Sequence, residues 1–330
     1  MSRYKIACYV GGLLGLSLLI GLVVRADLPA MLHTLAAAGI HLLWLVPYRA
    51  VYFLLYAIGW LCLLRAYDPR GRAGLGYLFW VTSVREAIDR LLPVASVGGG
   101  VAGVRLVRWR GLAAAGVSAT VIVEVVLTLI VSYAFTAVGL VLLSQLGAPG
   151  GNFRRLLLAF FITLPAPILT LLLLRHGSVF KRLHQFIGPL IGANALQEGA
   201  ASLDKEIRAS LSRWRTLAVA GSLQFAALAS GSLEIWFTMR LFGHPVDLST
   251  ALILESMTQA MRHLAFVVPA GLGVQEVTLV LFGHALGVSG ELALAVSMAK
   301  RLREVLCGLP ALLSWQLMEG RRLHKSARGA

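Results

Sequence analysis

Of the 330 residues, 58% are hydrophobic and only 14% are charged, where an ordinary soluble domain carries about 25% charged residues. The apolar residues come in blocks of about 20, long enough to cross a bilayer, which excludes a soluble globular enzyme and predicts an all-α, polytopic helical membrane protein. The net charge of +15 sits in short Lys and Arg clusters between those blocks, the pattern of membrane-flanking loops, so no nucleic-acid partner is expected.

The first apolar block, residues 6–24, follows Arg3 and Lys5. It exceeds the roughly 7–15 residues of a signal-peptide core and no small-x-small cleavage site follows it, so it is expected to be an uncleaved span. Further spans are expected at 42–64, 112–143, 156–174, 217–242 and 291–317, the last with charge in its middle. Two stretches depart from this pattern. Residues 75–92 gather Arg85, Glu86, Asp89 and Arg90 ahead of Pro93, Gly98, Gly99 and Gly100. Residues 251–268 gather Glu255, Arg262 and His263 ahead of Pro269, Gly271 and Gly273. A short apolar stretch follows each. Helix, proline, glycine turn and helix read as a re-entrant hairpin, which membrane depth tolerates only where protein or water satisfies the broken backbone. Residues 175–216 mix Phe180, Leu183 and Trp214 with basic side chains and are expected to form a cytoplasmic amphipathic connector on anionic headgroups.

Six spans, with both hairpins returning to their own side, put almost every basic cluster on one face of the membrane. Only Arg25, Arg154 and Arg155 fall in loops on the other. The positive-inside rule then predicts a multi-pass protein of the bacterial inner membrane with both termini cytoplasmic. Reading the hairpins as full double spans leaves the loops on the same sides. The whole chain, 1–330, is expected to be one integral membrane domain. Its halves, about 42–143 and 217–318, form an inverted repeat marked by Pro93 and Pro269, the adjoining glycines, and Gly-Val-Ser at Gly116 and Gly287. Paired interrupted helices point to a transporter binding site.

Gly98 to Gly103 matches GxGxxG as a string, but no strand precedes it, so a tight turn with close helix packing is expected. The chain carries no P-loop, HExxH or GxSxG motif, and Cys8, Cys62 and Cys307 sit apart in apolar segments. No catalytic residue, metal site, cofactor or enzymatic activity is expected. What remains is charge inside the membrane. Arg49, Glu124 and Glu234 lie within spans, and Lys300, Arg301, Arg303 and Glu304 lie near the middle of the last one. Each costs about 2.5–3.5 kcal/mol on insertion scales. Two readings stay open: the charges pair to hold helices together, or they line a polar path for a lipid headgroup.

Three segments carry a resemblance. PAGLGVQE (residues 269–276), SMAKRLREVLCGLPALLSWQ (297–316) and LLPVASVGGGVAGVRLVRWRG (91–111) resemble the lysylphosphatidylglycerol-synthase transmembrane, or flippase-like, family, in its hopanoid-biosynthesis-associated branch. The resemblance covers essentially the whole chain. It implies a membrane lipid as partner, a hopanoid or an anionic phospholipid, and hopanoid-biosynthesis or lipid-export proteins as neighbours. It marks Pro269, Gly271, Gly273, Gln275, Glu276, Lys300, Arg301, Arg303 and Glu304 as motif residues. Gly100 stands where such proteins often have an acidic residue after the first glycine pair. The function so implied is a lipid translocator or export factor. The alternative is a non-transporting subunit or scaffold of a complex that makes or modifies membrane lipids.

Overall fold

A computed structural model of the chain describes residues 28–92, 98–145, 151–176, 194–265, 268 and 271–328. The expected span at 6–24 lies outside these residues, as do Pro93, Pro269 and the early part of the connector. The described residues are helical and contain no strand. In chain order the helices are α1 (Leu28–Ala38), a 3-10 turn (Gly39–Trp44), α2 (Leu45–Leu64), α3 (Leu75–Leu91), α4 (Gly98–Arg108), α5 (Ala114–Gln145) and α6 (Gly151–Thr163). They continue with α7 (Pro165–His176), α8 (Asn194–Leu211), α9 (Trp214–Leu241), α10 (Leu248–Leu264), α11 (Val274–Ala285) and α12 (Gly290–Arg328).

Four helical stretches are long and apolar enough to cross a membrane: His33–Leu64, Ala114–Gln145, Leu157–His176 and Trp214–Leu241. They coincide with four of the expected spans. Among the described residues, the Leu157–His176 stretch is almost wholly uncovered, with Leu158, Phe161, Ile162, Ile168, Leu169, Leu172 and Leu173 exposed. A continuous apolar face of that size suits contact with hydrocarbon. Helix α12 covers the sixth expected span, and its charges keep it off that count. It nevertheless turns Leu302, Leu306, Leu309, Leu313 and Leu317 outward, a stripe at helical spacing, while Ser297, Lys300, Arg303 and Glu304 are buried.

The same order of elements occurs twice. Helix α2 is followed by α3, a break, α4, a turn and the long α5. Helix α9 is followed by α10, a break, α11, a turn and the long α12. Both turns carry a glycine in the left-handed region, Gly111 at φ 76° and Gly287 at φ 79°. Gly111 is therefore the conformational counterpart of Gly287. Gly116, which shares the Gly-Val-Ser string, does different work: a Cβ there would stand 2.5 Å from the Tyr67 ring.

The chain divides into two compact units. One comprises Leu54–Phe79 and Val104–Leu228. In it, Leu63, Ala119, Val123, Ile207, Leu211 and Ala220 form a core that draws on α2, α5, α8 and α9. The apolar face of α8 is thus packed against α5 within the protein. Trp60 donates to Thr120 Oγ1 at 3.1 Å, and Gly59 faces the Ala220 backbone, a small-residue contact of the kind membrane helices favour. Tyr67 donates to the Glu206 carbonyl at 2.9 Å. Burial of its phenol raises the pKa above the ordinary value. Pro167 has no N–H to offer the Thr163 carbonyl four residues back; Tyr133 donates to that oxygen instead, at 3.1 Å.

The other unit comprises Met1–Phe53, Trp80–Gly103 and Ala229–Ala330. Within it α12 packs against α11 and α1, and α11 packs against α10. Both broken helices reach this unit at their breaks.

Candidate functional site

The break between α3 and α4 is held by short contacts. Asp89 Oδ1 accepts the Gly99 N–H at 2.8 Å. A Cβ on Gly99 would stand 2.5 Å from the Arg85 carbonyl oxygen, and one on Gly103 would stand 2.7 Å from the Arg85 stem. Two glycines four residues apart are what lets α4 lie on α3. One turn from Asp89, Glu86 accepts from Arg90 at 2.9 Å and from Arg49 of α2 at 2.5 Å. The Arg49 guanidinium also lies over the Tyr52 ring, 3.6 Å from its centroid. Gly98 opens α4.

The second break is tied differently. Gly271 and Gly273 take φ of 60° and 75°, a region that glycine enters without a Cβ penalty. The turn presents the Gly271 carbonyl to Arg301, which donates to it at 3.1 Å. At the start of α11, Gln275 and Glu276 have no solvent exposure. Gln275 accepts from Arg262 of α10 at 2.8 Å and donates to Ser297 of α12 at 2.7 Å. Ser297 in turn donates to Glu276 at 2.9 Å, and Arg301 donates to the same carboxylate oxygen at 3.1 Å.

Helix α12 joins these pieces. Lys300 pairs with Glu255 of α10 at 2.5 Å, and Arg303 pairs with Glu234 of α9. Glu304 lies among four cations: Arg301 at 3.1 Å, Arg262 at 3.6 Å, Arg303 at 3.8 Å and Arg90 at 4.0 Å. Among the described residues, counting the separate Lys300–Glu255 pair beside the connected group, ion pairs join six basic residues (Arg49, Arg90, Arg262, Lys300, Arg301, Arg303) to five glutamates (Glu86, Glu234, Glu255, Glu276, Glu304). Among these named residues the cations outnumber the carboxylates by one. Removing one partner of such a buried pair strands the other and costs about 3–5 kcal/mol.

The network is closed but not saturated. Glu234 Oε1, Glu276 Oε2, Glu304 Oε1 and Arg303 Nε are buried and make no hydrogen bond among the described residues. Two of these residues, Arg303 and Glu304, line a cavity of about 10 Å³ together with Arg49, Phe53, Glu86 and Arg90, among others. That is about the space of one water molecule.

Most residues picked from the sequence therefore meet in one place. Glu86, Arg90, Glu234, Gly271, Gln275, Glu276, Lys300, Arg301, Arg303 and Glu304 belong to the network, and Arg85, Asp89, Gly98, Gly99 and Gly273 shape the breaks beside it. Pro93 and Pro269 lie outside the described residues. Glu124 is buried on α5 in the other unit. Arg49, Glu255 and Arg262, already noted as charges in the sequence, belong with the network as well, and the structure adds Ser297. The first three stood out as charges in apolar stretches. Ser297 carried no such signal.

No curated protein and no solved structure matches the chain. A family model described as the lysylphosphatidylglycerol synthase TM region matches residues 10–310, which span both broken helices and the ionic network. The chain belongs to the lysylphosphatidylglycerol synthase transmembrane-region family, a membrane family of the lipid-related, flippase-like kind.

Proposed function

We propose that this protein is a lipid translocator or export factor of the bacterial inner membrane, that its cargo is a hopanoid or a phospholipid, and that it is not an enzyme. The observation that carries this reading is the ionic network itself, which ties two glycine-broken helices to the middle of α12. Membrane helices associate through small residues and a few hydrogen bonds. Six cations and five carboxylates far exceed that need, and charge at membrane depth otherwise marks a substrate path. Broken helices beside buried charge are how transporters build a site at the midplane. Six spans with cytoplasmic termini, re-entrant hairpins and an inverted repeat belong to the same reading. A cavity the size of one water admits no headgroup, so transport requires the network to part and reclose, as in alternating access.

That closure also favours a second reading: a non-transporting subunit or scaffold of a hopanoid-biosynthesis or lipid-modification complex, in which the pairs only hold helices. Purified protein in vesicles containing a fluorescent phospholipid, or a hopanoid assayed by extraction, separates the two. Redistribution between leaflets with no added enzyme supports translocation. Vesicles that behave like protein-free controls with both lipids leave the scaffold.

A further inference from the structure

We propose that Glu304 is a displaceable internal anion: a phosphate group on the cargo takes its place among Arg90, Arg262 and Arg303, and its departure uncouples the two broken helices. The lipid source of that phosphate rests on the translocator reading above. Glu304 reaches a cation from each broken helix, Arg90 of α3 and Arg262 of α10, so it couples them through α12. Its two oxygens are used unequally. Oε2 accepts from Arg301 at 3.1 Å. Oε1 stands 3.6–4.0 Å from the guanidinium nitrogens of Arg262, Arg303 and Arg90, beyond hydrogen-bond reach of all three, and accepts no hydrogen bond. Glu304 is 7% exposed, so bulk water does not compensate.

Three cations around one unbonded oxygen form a site wider than a carboxylate. A phosphate brings a tetrahedron of oxygens, and arginine forks bind it in bidentate fashion. The group would hydrogen-bond where Oε1 does not, and it would meet a set of ion-paired residues in which cations outnumber carboxylates. The adjoining cavity is bordered by Arg90, Arg303 and Glu304 and by the apolar Phe53 and Cys307. An anion that takes the carboxylate's place among these cations cannot share them with Glu304 at close range, so one displaces the other. When the carboxylate leaves, its ties to α3 and α10 end together.

The experiment uses the full chain in a neutral detergent and follows thermal unfolding against concentration of three probes. These are dihexanoylphosphatidylglycerol, phosphate-free dihexanoylglycerol and inorganic phosphate. The expected result is stabilisation of the wild type by the phospholipid at concentrations where the phosphate-free lipid has no effect. Glu304→Gln keeps the shape and removes the competing charge, so apparent affinity for the phospholipid should rise about tenfold or more, and adding Arg90→Gln should abolish the gain. Equal stabilisation by both lipids, or an affinity unchanged by Glu304→Gln, overturns the proposal. Should that variant not fold, the wild-type comparison decides alone. Inorganic phosphate reproducing the whole effect supports displacement and assigns it to free phosphate. Lipid redistribution that proceeds with no dependence on Glu304 overturns this inference and leaves the translocator reading standing. Phosphate competition at Glu304 without redistribution does the reverse.

Discussion

Gly231 faces the Glu255 carboxylate so closely that a Cβ would stand 2.5 Å from its Oε1. That oxygen accepts from Gln259 at 2.7 Å while Oε2 holds Lys300 at 2.5 Å, so the carboxylate cannot retreat without breaking a buried bond. Gly231→Ala should therefore destabilise the protein by about 1–3 kcal/mol, the usual cost of overpacking, even though alanine is the better helix former. Gly320 is also helical, and a Cβ there meets nothing within 4 Å. Gly320→Ala should be neutral or stabilise by up to about 1 kcal/mol. Thermal unfolding of both variants in the same detergent is the measurement. A Gly231→Ala protein as stable as Gly320→Ala would mean that the Lys300–Glu255 pair is not fixed as described. Legibility at this scale is uneven. Charges inside apolar stretches were visible, so Lys300, Arg303, Glu304 and Glu234 stood out. Which charge meets which was not visible. The Glu234–Arg303 pair joins residues 69 apart, and its partners are set by the rotation of α9 against α12, which no local pattern encodes.

The broken helices were legible because three signals coincide in each: a charged helix end, a proline and a run of glycines. What the string did not reveal is that the two breaks are secured by different chemistry. At the first, a carboxylate caps the new helix through the Gly99 N–H. At the second, the α12 arginine holds the Gly271 carbonyl. Both satisfy backbone groups that a break would otherwise leave bare. The re-entrant reading requires water at each break, from opposite sides of the membrane. Gly99 and Gly271 themselves are poor places for a probe: a Cβ at Gly99 meets the Arg85 carbonyl, and Gly271 combines φ 60° with Arg262 Nε at 3.1 Å. Val101 and Leu264, beside the breaks, are 66% and 53% exposed and accept a cysteine without repacking. In a chain lacking Cys8, Cys62 and Cys307, Val101→Cys should react with a membrane-impermeant thiol reagent from the cytoplasmic side, and Leu264→Cys from the periplasmic side. Reaction of both from one side would remove the inverted repeat.

At the scale of the molecule, apolar length alone located four spans that reappear as long helices, because twenty apolar residues in hydrocarbon have little choice but helix. It did not separate the chain into its two compact units. Each unit is assembled from three or two separate stretches, and such grouping depends on helix packing, which composition does not record. Orientation is a different quantity again, since it follows from where the basic residues fall. Arg65, Arg70 and Arg72 follow α2, and Arg208, Arg213 and Arg215 flank the junction of α8 with α9. Both groups sit within reach of span ends, where the positive-inside rule acts. The turn after α9, by contrast, carries His244 and Asp247 and no Lys or Arg. Alkaline-phosphatase fusions after Arg72 and after Ser212 should be inactive, and fusions after Gly151 and after His244 active. The Ser212 fusion is the discriminating one. Between Arg72 and Ser212 the chain holds α3, the break, α4, α5 and the Leu157–His176 stretch. If α3 and α4 return to one side, or cross and recross together, α5 and the next span bring Ser212 back to the cytoplasm. If α3 crosses once and α4 does not return, every later loop changes side. Activity after Ser212 with inactivity after His244 would then reverse the second half of the chain and place α10 and α11 on the cytoplasmic face.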